Sequence, residues 1–425
     1  MDSQNSAAIS AAIGDGDIAL PHPGSSESAI QVILRTPLYR GATIGLFIAG
    51  IGGAAATPQI AAFLVNELDA SLKTAGLFYL TSLTAPIAGY LVGARSDRTG
   101  QRLGFFRICA FAGFLGWLAF AFASQLWMPF VLSATILAFA GASMSQLFAA
   151  IHDDIAANPT PAGDSVFATV RMAVTAGWIV GPVIGTTIAG AYGTRTVMIM
   201  TAICALAQVI PLGMIKRSAS IPRATRTGQA PISARASLQS MTPLLVFTAL
   251  CLSFSASEAV KHAFLPIYMA DHLHLSSTLQ GLAIGIQPFV EFPLIPVAVV
   301  GARKFGAMRL ITVATGIAVF ANLWFAMADS ALDVLIAQSL MGVVWGVFAA
   351  LGILVAQRLL STAVATASGI FMTSGAIGSA IGGFAGGLGV GTFGLPGVFV
   401  LPAVFCLVAA IGLTMLHKRM HHLMG

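Results

Sequence analysis

The chain has 425 residues, of which 57% are hydrophobic and only 8% are charged, and its formal net charge is +6. Soluble domains carry roughly 25% charged residues, so this chain cannot cover its surface with polar groups. Its apolar runs are long and continuous, unlike the alternating segments of about ten residues that form membrane strands. The composition therefore excludes a soluble protein and predicts a bundle of helices in a lipid bilayer.

Residues 1–36 are rich in Ser, Ala, Gly and Asp and contain few large apolar residues. No basic segment followed by an apolar core is present, so the sequence does not predict a cleavable signal peptide. We expect residues 1–40 to form a disordered cytoplasmic tail.

Twelve later segments are apolar over about the 20 residues that a helix needs to cross a bilayer. They predict helices at 41–66, 74–94, 104–124, 127–151, 165–190, 195–215, 241–270, 277–300, 308–328, 331–357, 363–388 and 396–416. A polar, basic stretch interrupts the series after the sixth helix. We therefore predict an N-terminal six-helix half at 41–215, a basic cytoplasmic linker at 216–240, a C-terminal six-helix half at 241–416 and a cytoplasmic tail at 417–425.

The distribution of basic residues predicts the orientation of the chain. If both termini are cytoplasmic, 17 of the 21 Lys and Arg residues lie on the cytoplasmic side. The outer loops then hold only Lys73 and Arg195, while Arg171 and Lys261 lie inside helices. Positive residues are retained on the cytoplasmic side of membrane proteins. We therefore predict a multi-pass protein of the bacterial inner membrane with both termini inside, and the positive charge does not indicate a nucleic-acid partner.

Four cysteines lie far apart within apolar segments, at no spacing typical of a metal site or of a secreted disulfide framework. We interpret them as small core residues; they are Cys109, Cys204, Cys251 and Cys406. The segment His152-Asp153-Asp154 has no further ligands at a suitable spacing, so we predict no metal. The sequence also lacks a phosphate-binding Gly-x-x-x-x-Gly-Lys-Ser/Thr loop. We expect no cofactor and no catalytic activity.

Two features recur about half a chain apart. Gly93-Ala94-Arg95 after the second helix returns as Gly301-Ala302-Arg303 after the eighth, and each opens a basic loop. The fifth and eleventh helices both carry glycine ridges, the latter formed by Gly375, Gly378, Gly382 and Gly386. Such repetition suggests two related halves, as in many transporters. Because small residues let helices approach closely, we predict that these ridges form a surface between the halves.

The segment from Gly93 to Arg102 joins the second and third predicted helices. Asp97 can pair with an arginine or accept hydrogen bonds from a helix end, and Gly100 permits a tight turn. With Arg98, this pattern resembles the helix 2–3 signature of the major facilitator superfamily. The resemblance implies an all-α membrane fold of twelve transmembrane helices in two six-helix halves. It also implies that the segment is a conformational latch, the alternative being a simple basic turn.

The fifth helix carries a glycine-proline pattern that resembles the helix 5 signature of exporters in the superfamily. It consists of Gly177, Gly181, Pro182 and Gly185. With Arg171 and Trp178 on the same helix, the pattern is also similar to the bacterial sugar efflux transporter family. Members of that family export sugars such as lactose, glucose and arabinose, or glycosides, and the resemblance implies coupling to protons.

Arg171, Thr175 and Trp178 share one helical face. An arginine beside an indole ring suits a sugar, because hydroxyl groups need polar partners and a pyranose face stacks on an aromatic ring. The alternative is that Arg171 pairs with Asp153 or Asp164, or extends its head group to the membrane surface.

Two intramembrane carboxylates are candidates for proton coupling, since a charged residue inside a span is costly and marks a functional site by default. Glu258 precedes Lys261 and His262 on the seventh helix, where Glu258 and Lys261 can neutralise each other. Glu291 follows Gln287 by one turn on the eighth helix, beside three prolines and without a basic neighbour. A carboxylic acid in apolar surroundings holds its proton more readily than one in water. Glu291 is therefore the first candidate, and a buried pair with Lys261 is its alternative.

Further polar and aromatic side chains inside predicted spans suggest a polar cavity, although each can also satisfy a neighbouring helix. We include Gln59, Asn322 and Trp345, together with Arg171, Trp178, Glu258, Gln287 and Glu291, among the candidate substrate-binding residues.

These features predict a monomeric secondary transporter that exports a sugar or glycoside in exchange for protons by alternating access. A multidrug/proton antiporter of the same fold is the closest alternative. A membrane sensor that does not transport is a less favoured alternative, and a membrane enzyme is the least favoured.

Overall fold

The structure, a computed structural model of the chain, describes residues 28–160, 162–213, 215, 238–361 and 364–422. This part contains twelve helices long and apolar enough to cross a membrane, and no strand. They are α1 (Pro37–Leu68), α2 (Leu72–Thr99), α3 (Arg102–Ala121), α4 (Trp127–Ala157), α5 (Ser165–Tyr192), α6 (Thr194–Leu212), α7 (Met241–Asp271), α8 (Ser277–Phe305), α9 (Ala307–Met327), α10 (Ala331–Leu359), α11 (Thr366–Phe393) and α12 (Gly397–Arg419). The predicted all-α membrane fold is confirmed.

A short helix, Ala29–Arg35, precedes α1. It buries Val32 and Ile33 in a core with Val166 and Val170 at the start of α5, while Ile30 and Leu34 on its other face stay exposed. Residues 29–40 are therefore helical apart from Thr36, which corrects the predicted disordered tail over this stretch. Residues 1–27 lie outside the described part of the chain.

The ends of the predicted linker and tail also belong to helices. The helix that contains α7 begins at Leu238, and the helix of α12 continues to His422. Residues 216–237 and 423–425 lie outside the described residues. Because consecutive spans alternate in direction, the start of α1, the end of α6, the start of α7 and the end of α12 share one end of the bundle. We call this end the linker side and the opposite end the far side.

The glycine ridges of α5 and α11 pack within each half, which corrects their predicted place between the halves. A Cβ added at Gly177 would lie 2.6 Å from the carbonyl oxygen of Phe47 on α1, and Gly181 and Gly185 also pack on α1. In the other half, Gly378, Gly382 and Gly386 approach α7 in the same way.

Each ridge places a glycine at every fourth residue over about two helical turns. Each of these α11 glycines follows its α5 counterpart by the same number of residues. The ridges therefore pack α5 closely on α1 and α11 closely on α7, within each half.

Other glycines bring the two halves together at the far side. A Cβ added at Gly76 of α2 would lie 2.5 Å from the Cα of Gly387 and 2.6 Å from the carbonyl oxygen of Gly383, both on α11. A Cβ at Gly281 of α8 would lie 2.6 Å from the Cα of Val183 on α5. We call the α2–α11 contact around Gly76, Gly383 and Gly387 the far-side gate. At these positions a side chain would meet backbone, which cannot move aside alone.

The halves separate toward the linker side. Among the described residues, the hydrogen bond between α2 and α11 that lies nearest to the linker side runs from the Ser82 hydroxyl to the Ala376 carbonyl oxygen at 2.9 Å. Beyond it, the second half of α2, Ala85–Thr99, barely contacts α11, and Arg171 on α5 is exposed. The structure is thus closed at the far side and open toward the linker side.

Replacing Gly76 with Ala tests the far-side gate. The added Cβ would meet the backbone of α11, so we expect Gly76→Ala to push α2 and α11 apart and increase the population that is open at the far side. The measurement is the distance between spin labels at Lys73 and Phe393 in reconstituted protein. Gly89→Ala on the same helix is the matched control, since a Cβ there meets no atom within 4 Å. Equal distance distributions in the two variants would contradict this role.

Candidate functional site

Helices α7 and α8 bring an acid, a base and an amide together inside the C-terminal half. The Lys261 Nζ lies 2.8 Å from the Glu258 Oε1 and donates a hydrogen bond of 2.5 Å to the Gln287 Oε1. The Gln287 Nε2 in turn donates to the Glu258 Oε2 at 3.5 Å. We call these three residues the polar triad. Each member contacts both others, so the triad bridges α7 and α8.

The triad is almost entirely removed from solvent. The residues Glu258, Lys261 and Gln287 are 5%, 1% and 9% exposed. An ion pair at this depth costs several kcal/mol per ion in desolvation, and it persists only when hydrogen bonds satisfy the remaining polar atoms. Gln287 fulfils this requirement because its amide can accept from the ammonium and donate to the carboxylate. The i,i+3 pairing of Glu258 with Lys261 was predicted from the sequence, whereas the role of Gln287 depends on the packing of α8.

Two aromatic side chains and a histidine surround the triad. The Trp345 indole on α10 packs on Phe254 with ring centroids 5.2 Å apart, and its N–H lies near the Glu258 carboxylate. That N–H does not reach hydrogen-bond geometry with any described residue. The His262 Nε2 lies 3.9 Å from the Glu258 Oε2, and its ring is 6.4 Å from the ring of Trp178 on α5. Trp178 and His262 thus meet across the two halves.

Glu291 lies one turn beyond Gln287 on α8, toward the linker side. It makes no hydrogen bond and no ion pair with the described residues, but it interacts electrostatically with Glu258, Arg171 and Lys261. Arg171 belongs to the other half. The alternative that Arg171 pairs with Asp153 is excluded, since Asp153 pairs with Arg102 at 2.9 Å. The side chain of Asp164 lies outside the described part.

The other two predicted binding residues lie apart from the triad. Gln59 is buried in a 3₁₀ turn, Thr57–Gln59, that packs on α5 and α7. Asn322 is 1% exposed within the C-terminal half, where its Nδ2 donates to the Ala318 carbonyl oxygen at 2.8 Å and lies 3.6 Å from the Cys406 Sγ. Asn322 therefore supports the core behind the triad instead of facing the space between the halves, because α9 lies at the flank of its half.

The latch segment is ordered mainly as helix, which corrects its predicted loop form. Gly93 to Thr99 complete α2, and the turn is confined to Gly100, at φ +68°, and Gln101. The Arg102 guanidinium pairs with Asp97 at 2.5 Å and with Asp153 on α4 at 2.9 Å.

This network stays within the N-terminal half. Arg98 is exposed, and no described atom lies within 4 Å of a Cβ added at Gly93, so neither residue makes a close contact with the other half.

Some residues that build this region were not among the predicted binding residues. Lys261 and His262 also belong to the cluster. They follow Glu258 by three and four residues, and this spacing is the signal that could have included them. The far-side gate uses Gly383 and Gly387, which form a second glycine row on α11 beside the predicted one. The rotation of a helix about its axis decides which of two adjacent rows faces a given neighbour. Sequence spacing alone does not specify that rotation.

Removing one member of the triad tests its energetics. Lys261→Met leaves a buried carboxylate without its counterion, so we expect the free energy of unfolding to fall by about 3–5 kcal/mol. Adding Glu258→Gln to that variant should recover much of the loss, because no uncompensated charge remains. Titration of the purified protein with a denaturing detergent measures both, and Lys73→Met, at an exposed lysine, is the control. A Lys261→Met protein as stable as wild type would contradict a charged pair.

Comparison with known proteins agrees with this architecture. The sequence profile of the Major Facilitator Superfamily matches residues 42–260 and 259–422. Sugar efflux transporter C of Escherichia coli is 24% identical over 350 residues, covering 80% of this chain and 86% of the relative. Sugar efflux transporter B of Salmonella typhimurium is 25% identical over 362 residues, with coverage of 83% and 89%.

Among solved structures, the nucleoside transporter NupG superposes with a TM-score of 0.75 at 16% identity, covering 90% of this chain and 99% of its own. A bacterial homolog of the human lysosomal transporter Spinster, in an inward-facing and occupied conformation, has a TM-score of 0.73 at 14% identity, with coverage of 93% and 98%. These likenesses show the fold. The profile match over nearly all of the chain, with the twelve spans, shows that this multi-pass membrane protein belongs to the Major Facilitator Superfamily of transporters.

Proposed function

We propose that this transporter exports sugars or glycosides in exchange for protons, by alternating access. The observation that carries the proposal is an intramembrane carboxyl group, that of Glu291, which has no hydrogen bond or ion pair with the described residues and interacts electrostatically with Arg171 of the other half. The sugar efflux transporters similar over most of the chain support the substrate class. The site's own chemistry supports it as well, since Trp178 and Trp345 offer aromatic faces and His262 offers hydrogen-bonding ring nitrogens.

The charge on Glu291 offers a direct means of coupling. When Glu291 is ionised, it attracts Arg171 across the cleft and favours closure at the linker side. When Glu291 is protonated, this attraction is lost and the state open toward the linker side is favoured. A ligand or proton can shift such an equilibrium only by interacting differently with its two states. Glu291 meets this condition because its distance from Arg171 depends on how the halves are arranged.

The orientation in the membrane follows from the basic residues. If the linker side faces the cytoplasm, most Lys and Arg residues lie on the cytoplasmic side of the inner membrane. In that orientation the structure represents the inward-facing state. A proton arriving from outside would neutralise Glu291 and abolish its attraction to Arg171, so the halves would open to the cytoplasm. The proton would then leave because the proton concentration there is lower than outside. Sugar then binds from the cytoplasm, and the ionised Glu291 draws the halves together behind it. In this cycle protons enter the cell as sugar leaves it.

Glu291→Gln tests the coupling. The amide cannot ionise, so we expect proton-driven transport of sugar in proteoliposomes to be abolished while sugar binding and the thermal unfolding temperature stay near wild type. Asp271→Asn is the control, since it removes a carboxylate from the exposed end of α7. Full proton-dependent transport by Glu291→Gln would remove Glu291 as the proton carrier.

Arg171 separates the proposed function from multidrug export, its closest alternative. Hydrogen bonds to a charged group are worth about 1.5–3 kcal/mol, so Arg171→Gln should weaken sugar binding about ten- to a hundredfold. A panel of sugars and lipophilic cations, measured by transport competition, provides the comparison. Arg95→Gln, at an exposed position of α2, is the control. If Arg171→Gln retains full activity and lipophilic cations compete where sugars do not, the multidrug function is the correct one.

Counterflow in vesicles distinguishes transport from sensing. Preloaded unlabelled sugar should drive uptake of labelled sugar above its equilibrium level, because a carrier exchanges ligand across the membrane. Specific binding without counterflow would favour a sensor instead.

A further inference from the structure

A second cavity lies inside the N-terminal half, away from the polar triad. It has a volume of about 240 Å³ and lies among α1, α3, α4 and α6. Its lining includes many small residues, with Trp117 as its largest side chain, and no charged residue. Helix α4 is irregular beside it, since a π-helical segment, Ser133–Leu137, is followed by a turn at Gly141. Such π-segments often accompany functional sites.

Two polar groups in this lining lack partners among the described residues. The Ser143 hydroxyl makes no hydrogen bond to a described residue, although Ser143 is only 8% exposed. Helical hydroxyls nearby bond back to their own helix, as Ser145 does to Ala142 at 2.8 Å and Thr201 does to Val197 at 2.9 Å. The Gln208 Oε1 is buried without a partner, while its Nε2 donates to the Ala205 carbonyl oxygen at 2.8 Å. Buried polar groups are normally satisfied, so the unpartnered Gln208 oxygen is informative. The Ser143 hydroxyl, which lines the cavity, is available to a ligand.

We propose that this cavity binds a small uncharged molecule with an apolar body and a hydroxyl or N–H group. The absence of charged residues from the lining excludes an ionic ligand, and the small apolar residues suit a single ring or a short chain. The polar group of the ligand bonds to Ser143, or to Gln208 after a small rotation of that side chain. Trp117 offers an aromatic face to the ligand body. A sugar does not fit this description, because most of its hydroxyl groups would remain unpaired.

The cavity can be filled by mutation. No atom lies within 4 Å of a Cβ added at Gly53, which lines the cavity, so Gly53→Leu directs its side chain into open space. Gly316→Leu on α9 is the matched control, since Gly316 is equally unobstructed and is exposed in the other half. Benzyl alcohol, toluene and glucose serve as probes, with thermal unfolding of the protein in lipid nanodiscs as the readout.

We expect benzyl alcohol to raise the unfolding temperature of wild type and of Gly316→Leu in a saturable manner, but not that of Gly53→Leu. Toluene should act more weakly than benzyl alcohol, and Ser143→Ala should remove that difference. Glucose should have no effect that depends on Gly53. Equal shifts in the two leucine variants, or no saturable shift in wild type, would overturn the proposal. Equal effects of toluene and benzyl alcohol on wild type would also overturn it, because the hydroxyl group of the ligand would then contribute nothing to binding.

The cysteines provide a second measurement that requires no filled cavity. Cys109 and Cys204 line the cavity, whereas Cys251 is buried in the other half. Benzyl alcohol should slow alkylation of Cys204 by N-ethylmaleimide several-fold in wild type, resolved by peptide mass spectrometry, and leave the rate at Cys251 unchanged. Unchanged alkylation of Cys204 at a concentration that saturates the thermal shift would place the ligand elsewhere. Protection of Cys204 by glucose would assign the cavity to the sugar pathway and overturn the proposal.

Discussion

The buried ion pair between Glu258 and Lys261 sets the main constraint on the centre of this protein. A membrane interior supplies no water to replace a lost partner, so the carboxylate and the ammonium must be satisfied by protein atoms. Gln287 on α8 supplies the remaining hydrogen bonds to this pair. Because these bonds form only at one relative position of the two helices, they fix α8 against α7. Both Glu291 and the Trp345 indole derive their surroundings from this arrangement.

Close backbone contacts divide into two kinds with different consequences. Contacts within a half, such as those of Gly181 on α1 and Gly382 on α7, join helices that belong to one rigid unit. Among the described residues, close backbone contacts between halves, such as Gly76 with Gly387, lie toward the far side and must separate if the transporter opens there. The same residue type thus packs helices of one half together and also lets helices of opposite halves meet closely. The difference lies in which helix each glycine faces.

The proposed coupling and the second cavity depend on different parts of the molecule. The coupling requires charged groups on opposite halves, since the distance between such groups, here Arg171 and Glu291, would change when the halves move relative to each other. The cavity beside Ser143 and Gln208 lies within one half and contains no charge. A molecule bound there would act on the packing of α4 and leave the ion pairs at the centre unaltered.

Composition and hydropathy determined much of this protein from the sequence alone: twelve spans, two halves and the intramembrane residues Arg171, Glu258, Lys261 and Glu291. These follow because a span needs a minimum length of apolar residues and because charges inside it are rare. Only the tertiary structure decided which faces meet. The helical period places residues on a face but leaves each helix free to rotate, so the ridge of α5 turned toward α1, Asn322 turned into its own half, and Gln287 completed the pair of Glu258 and Lys261.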